Sequence, residues 1–207
     1  MNFNYLVHLL TDFNQKKLLG KKAHFEIAPY RVKEPKITPK STNKAAVLLL
    51  FYPIKDEAYF SLIQRPTYNG SHSGQIALPG GKWEKKDKTI IQTALREAWE
   101  EINIEKKNVE ILGKLSDIYI PPSNFDVTPV LGISRNRPNF KPNQREVEEI
   151  LEIPLTNLLS PETLKKTEVS IENGKILKTP YFDLSEKVVW GATAMILNEI
   201  KHYITDS

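Results

Sequence analysis

Hydrophobic positions along the chain change period several times, and each change marks an element. From Asn4 to Leu19, Leu6, Leu9, Leu10, Phe13 and Leu18 recur near helical spacing and predict an amphipathic helix that covers the core or a partner. Residues 28 to 44, rich in Pro and Lys, read as an extended connector. Two apolar runs follow, Ala46–Tyr52 and Tyr59–Gln64, split by Pro53-Ile54-Lys55-Asp56-Glu57, which is a hairpin signal. The longest uninterrupted run, Ala45 to Phe51, reads as a buried strand. Gln75–Leu78 reads as a short strand ending at Pro79-Gly80-Gly81, and residues 88 to 102 as a helix. Val109–Ile120 and Val127–Ser134 predict strands on either side of a rigid Pro121-Pro122-Ser123-Asn124 loop. Glu148 and Glu149, in the acidic stretch before Pro154, read as a solvated helical turn, and Pro161–Lys166 as a short helix. Asn173-Gly174 is a strong turn signal between Val169–Ile171 and Ile176–Pro180, and Val188–Tyr203 predicts a last helix. Hairpin strands with two good helices and no internal repeat predict an α+β fold, an α/β/α sandwich with helices on both faces of a mixed β-sheet.

The helix over 88–102 carries the chemistry. Positions i, i+3 and i+4 share a face, so Glu97, Glu100 and Glu101 converge. Ile91, Ala94, Leu95, Ala98 and Ile102 form one apolar arc, with the acids on the neighbouring arc and Arg96 beyond them. The acids therefore leave the core beside the glycine loop Gly80-Gly81. Asp87 stands where an anion caps or favours a helix N-terminus. Such an acidic face is either simply solvated or a seat for a hard divalent cation, which prefers oxygen ligands. A glycine loop beside the seat suits close approach by a phosphate.

Composition narrows the alternatives. The chain has 207 residues, 40% hydrophobic and 26% charged, enough for one domain with a real core. No apolar run approaches the length that spans a bilayer, so no membrane partner is expected. Zero Cys excludes disulfides and thiolate metal sites and fits a cytoplasmic protein. The net charge of +4 comes from dispersed Lys pairs without interleaved aromatics. That argues against a nucleic-acid partner and suits steering of a small polyanion.

The residues from Gly81 to Ile104 resemble the Nudix hydrolase box, with Gly81, Arg96, Glu97, Ala98, Glu100, Glu101 and Ile104 in matching places. Asp87 stands where the first Glu is expected, eight residues rather than seven separate it from Arg96, and Asn103 replaces the late Gly. Asn is the next-best residue for a left-handed helix end. The first two departures look like the coenzyme A pyrophosphatase branch of the family. So do Arg65 after a strand, Gly74 ahead of Leu78-Pro79-Gly80-Gly81, Tyr119 to Phe125, and Trp190-Gly191-Ala192-Thr193. A second Arg of that signature is missing at Gly70. The resemblance covers roughly residues 45 to 200.

The resemblance implies a Nudix domain over 43–207, with 1–42 packed on it, and Mg²⁺ or Mn²⁺ as cofactor. It implies that Glu97 and Glu101 ligate the metal, with Glu100 completing the site or holding one of the ion's waters. Arg96 then orients a box carboxylate or makes an ordinary helix salt bridge. The general base is Glu97, or a distal Glu148 or Glu149. Arg65, Gly80, Gly81 and His72 are implied as substrate contacts, while Tyr119, Asn124 and Phe125 line the pocket or fill core. The implied substrate is a small nucleotide of the coenzyme A type, cleaved to 3′,5′-ADP and (acyl-)4′-phosphopantetheine. NADH, ADP-ribose or an oxidised dNTP is the alternative, and a non-catalytic sensor a further one. A homodimer is expected only by analogy.

Overall fold

A computed structural model describes residues 1–31, 42–67, 74–170 and 176–206. The helices are α1 (Phe3–Leu10), α2 (Lys21–Ile27), α3 (Ile90–Ile102), α4 (Leu155–Leu159) and α5 (Gly191–Thr205). The strands are β1 (Asn43–Ile54), β2 (Glu57–Gln64), β3 (Ile76–Ala77), β4 (Gly80–Lys82), β5 (Glu110–Lys114), β6 (Ile118–Ile120), β7 (Phe125–Ile133), β8 (Glu149–Pro154), β9 (Leu164–Ser170), β10 (Ile176–Leu184) and β11 (Lys187–Val189).

The centre is β1. It runs antiparallel to β2 and to β4, and parallel to β7, so the sheet is mixed. Strand order is β3-β2-β1-β7-β5, with β4 on β1, β6 on β7 and β8 on β2. Both faces of β1 are covered, which is why it reads as a continuous apolar run rather than an alternation. Leu48, Leu50 and Tyr52 pack with Ala94, Leu95, Ala98 and Ile102 of α3. Leu49 and Phe51 point the other way, into the cluster that holds Phe3, Leu6 and Leu10 of α1, Ile27 of α2 and Ile196, Leu197 and Ile200 of α5. The expected sandwich is the observed one. β9, β10 and β11 form a separate antiparallel sheet.

Several expected elements differ. The N-terminal helix ends at Leu10, followed by a short turn at Phe13–Gln15 and then α2. Asn2 caps α1 by accepting from Asn4 and Tyr5 N–H, and Gly20 breaks the chain at φ 55 before α2. α2 is fastened to α5 by buried Glu199, which accepts from Gly20 N–H at 3.0 Å and Ser116 N–H at 3.0 Å and faces His24 Nε2 at 3.3 Å. The run Val109–Ile120 divides into β5 and β6, and the Pro-Pro loop is a 3₁₀ turn closed by Asn124 in a left-handed conformation. The acidic stretch is not helical but contains β8, paired in register with β2 from Tyr59↔Pro154 to Gln64↔Glu149. The short helix expected at Pro161–Lys166 is present only as a 3₁₀ turn over Pro161–Thr163, because Leu164 already begins β9. The Asn173-Gly174 turn and the connector from residue 32 to residue 41 lie outside the described residues.

Candidate active site

The site forms where β4 passes between β1 and α3. β4 lies so close to β1 that a Cβ on Gly80 would sit 2.3 Å from Ala46 O and 2.5 Å from Val47 Cα. Only glycine fits there. Gly81, next along, faces α3, and a Cβ on it would meet Glu97 Cδ at 2.6 Å. The missing side chain is thus the space in which the Glu97 carboxylate lies. Gly80 N–H donates to Glu101 Oε2 at 2.8 Å, tying the glycine strand to the helix.

α3 begins at Thr89, whose hydroxyl accepts from Gln92 N–H at 3.2 Å, so Thr89 rather than Asp87 is the cap. It ends at Asn103 with φ 62 and ψ 34, the left-handed end expected of that residue, and Asn103 Nδ2 donates to Asn139 O at 2.9 Å.

Asp87 instead grips Arg96. It accepts from Arg96 Nε at 3.0 Å and Nη2 at 2.9 Å, from Thr93 Oγ1 at 3.0 Å and from Glu84 N–H at 3.0 Å. The Arg96 guanidinium holds the Asp87 carboxyl down at about 2, well below the usual carboxylate range. Arg96 Nη1 also donates to Glu97 Oε1 and Glu100 Oε2, each at 2.8 Å, and Nη2 to Lys82 O at 2.9 Å. One guanidinium therefore orders Asp87, Glu97, Glu100 and the end of β4.

Glu101 is the acid of this cluster furthest from water, 3% exposed. Burial pushes its carboxyl up to about 8, against the pull of Gly80 N–H and Arg65, while Glu97 and Glu146 push it further. Glu97 is raised by burial as well, opposed by Arg96, with Glu100 and Glu146 adding to the rise. Crowded carboxylates in a partly dry site, all offering oxygen, are the donor chemistry a hard divalent cation takes. On this helix face Glu97 and Glu100 share Arg96 Nη1, while Glu101 accepts from Gly80 N–H. Among the described residues, no three acidic side chains stand in a metal-holding arrangement.

The remaining sequence-derived residues divide. Arg65 follows β2, with its Nη2 3.5 Å from Gly80 O and its charge acting on Glu101, so it belongs to the site. His72 and Gly70 lie outside the described residues. Tyr119 OH donates to Asn124 Oδ1 at 2.9 Å, and the Tyr119 carbonyl accepts from Arg31. Glu149 is paired with Lys187 at 2.8 Å, and Glu148 N–H donates to Gln64 O, which fixes both on the β2 edge. The distal acid that acts on Glu97 and Glu101 is Glu146, in the turn before β8. Its place relative to Glu148 and Glu149 depends on strand register, which local sequence does not show. The Asn143-x-x-Glu146 turn spacing is the one local signal for it.

With that geometry in view, comparison with known proteins places the chain. The NUDIX domain family profile matches residues 42–179. A protein of Photorhabdus laumondii described as an uncharacterized Nudix hydrolase NudL is 35% identical over 162 residues, 78% of this chain and 86% of that one. A protein of the same description from Pectobacterium atrosepticum is 34% identical over 177 residues, 83% and 88% of the two chains. A MutT protein structure from Methanosarcina mazei Go1 has a TM-score of 0.52 at 18% identity, covering 83% of this chain and all of that one, a likeness of fold. The chain belongs to the Nudix hydrolase family, pyrophosphohydrolases that act on phosphoanhydride bonds of nucleoside diphosphate derivatives and generally use divalent ions such as Mg²⁺ or Mn²⁺. Among the described residues, no helix is long and apolar enough to cross a membrane.

Proposed function

We propose that this enzyme cleaves the diphosphate of coenzyme A or its thioesters, releasing 3′,5′-ADP and (acyl-)4′-phosphopantetheine in the cytoplasm. The observation that carries this reading is the Asp87–Arg96 clamp. The coenzyme A type of box has one more residue between acid and arginine and a shorter acid, and here Asp87 still reaches two guanidinium nitrogens at 3.0 and 2.9 Å. Arg65 beside Gly80 and Glu101 adds the strand-end arginine of the same signature.

In this reading Glu97 and Glu101 hold Mg²⁺ or Mn²⁺, with Glu100 completing the set. The ion, when bound, neutralises phosphate charge and makes water a better nucleophile. Arg96 keeps Glu97 and Glu100 at the β4 strand. Arg65 forks onto a phosphate, for which a planar guanidinium is suited. Gly80 and Gly81 let β4 lie against β1 and the Glu97 carboxylate, which sets the acids beside the strand where the diphosphate would bind, and Glu146 takes the proton of the attacking water. One P–O bond forms to that water and the bridging P–O bond breaks.

The test is product analysis with Mg²⁺ and a panel of coenzyme A, NADH, ADP-ribose and dGTP, separated by chromatography. Fastest release of 3′,5′-ADP from coenzyme A supports the assignment. A different winner leaves the phosphoanhydride chemistry and removes the coenzyme A assignment, with Gly70 in place of an Arg as the first residue to examine.

A further inference from the structure

The segment between β7 and β8 crosses the α3 side of the sheet, and the turn that carries Glu146 is bonded to the end of α3 through Asn143 N–H and Glu101 O. Its far end is anchored by Arg137, whose Nε and Nη2 donate to Glu152 at 2.9 and 2.6 Å, and Glu152 also accepts from Tyr52 OH at 3.1 Å. Phe140 stands edge-on to the Tyr52 ring with centroids 5.4 Å apart. Its near end is anchored by Val147, 1% exposed in the α3 cluster. Between these anchors the segment serves the end of α3. The last carbonyls of a helix lack partners within the helix. Here Lys141 N–H donates to Ile102 O at 3.3 Å and Asn143 N–H to Glu101 O at 2.8 Å.

Asn143 joins the two halves of the site. Its main-chain N–H holds the carbonyl of Glu101, the most buried acid of the cluster. Its Nδ2 donates to Glu146 Oε1 at 3.2 Å, and its Oδ1 accepts from Arg145 N–H at 3.3 Å. Its carbonyl accepts from Glu146 N–H at 2.9 Å and Val147 N–H at 2.8 Å. A residue needed only for the turn would require the carbonyl and Oδ1 contacts. The Nδ2 bond to Glu146 closes the turn as well, and it also orients the Glu146 carboxylate. Its effect is to fix an otherwise exposed carboxylate relative to the helix that carries Glu97 and Glu101.

We propose that Asn143 is a positioning residue for hydrolysis, holding Glu146 in register with the α3 acids through Glu101's own main chain. This rests on the reading of Glu146 given above. The prediction is for turnover rather than binding: N143A lowers kcat by about 10- to 100-fold, the usual effect of losing an outer partner of a site residue, with KM little changed. N143D keeps the acceptor for Arg145 N–H but loses the donor to Glu146, so its kcat falls at least as far.

The deciding experiment is a double-mutant cycle of N143A with E146Q, on whichever panel substrate is cleaved fastest with Mg²⁺. If Asn143 acts through Glu146, the double variant is no slower than E146Q alone. Multiplying losses, or N143D at wild-type turnover, overturn the positioning role, and so does a wild-type N143A beside an impaired E146Q. Full activity of E146Q overturns the role of Glu146 and the positioning of it together. Thermal unfolding of each variant separates these outcomes from loss of the fold.

Discussion

Replacing Asp87 by Asn removes one charge from the clamp while keeping its shape. In the folded chain that carboxyl is held at about 2 against an ordinary 3.8, because Arg96 meets it with two nitrogens. A difference of that size corresponds to about 2 kcal/mol at most, since solvent at the rim screens part of it. Contacts give a similar scale, as a hydrogen bond to a charged group contributes about 1.5–3 kcal/mol. D87N should therefore lower the melting temperature by about 4–8 °C at pH 7 for a chain of this length. A depressed carboxyl stabilises above its unfolded pKa and loses that contribution as pH falls through its folded one. The gap between D87N and wild type should thus be full at pH 7, shrink below pH 4, and stand at about half by pH 3. Urea unfolding of both proteins across this range measures it. Equal stabilities at pH 7, or a gap unchanged at pH 3, would refute the clamp as an electrostatic element.

Other outcomes follow from single residues. G81A should fold but lose turnover, because its Cβ would displace the mobile end of Glu97, whereas G80A would strike the β1 backbone and should express poorly. N103A should cost about 1 kcal/mol in urea unfolding, since Asn103 ends α3 at φ 62, while N103G should be close to neutral. Glu101, raised from 4.5 to about 8, binds a proton in the folded state that the unfolded chain has already released. Metal-free protein should therefore lose stability from pH 4.5 to 8. E101Q should lack that loss, and Mg²⁺ should reduce it in wild type only, all readable by thermal scans.

The sandwich was legible because period and burial agree in α3 and because β1 reads as an apolar run. The acids on α3 were legible for the same reason, as helical spacing alone gathers Glu97, Glu100 and Glu101 on one face. What they touch was not. Arg96 reaches Asp87 in the loop before α3 and Lys82 at the end of β4, and the same guanidinium also holds Glu97 and Glu100. The acidic stretch before Pro154 reads locally as a solvated helical turn, whereas pairing with β2 makes part of it β8, which carries Glu152. That acid lies on the α3 side of the sheet and is satisfied there by Tyr52 and Arg137. The β2–β8 register, a long-range property, fixes Glu149 opposite Gln64 and leaves Glu146 in the preceding turn, which local sequence does not reveal. The break at Gly20 was visible as a residue but not as a chain reversal, which Ser116 and Glu199 enforce from distant elements.

The central claim is that hydrolysis runs on the carboxylates of α3 beside the glycine strand. Its most direct test is the turnover of E101Q with Mg²⁺ on the substrate panel, read with the melting temperature. Turnover lower by about a hundredfold or more, with melting at neutral pH no lower than that of wild type, is the expected result. Wild-type turnover in a folded E101Q would contradict the claim and move the chemistry away from this helix.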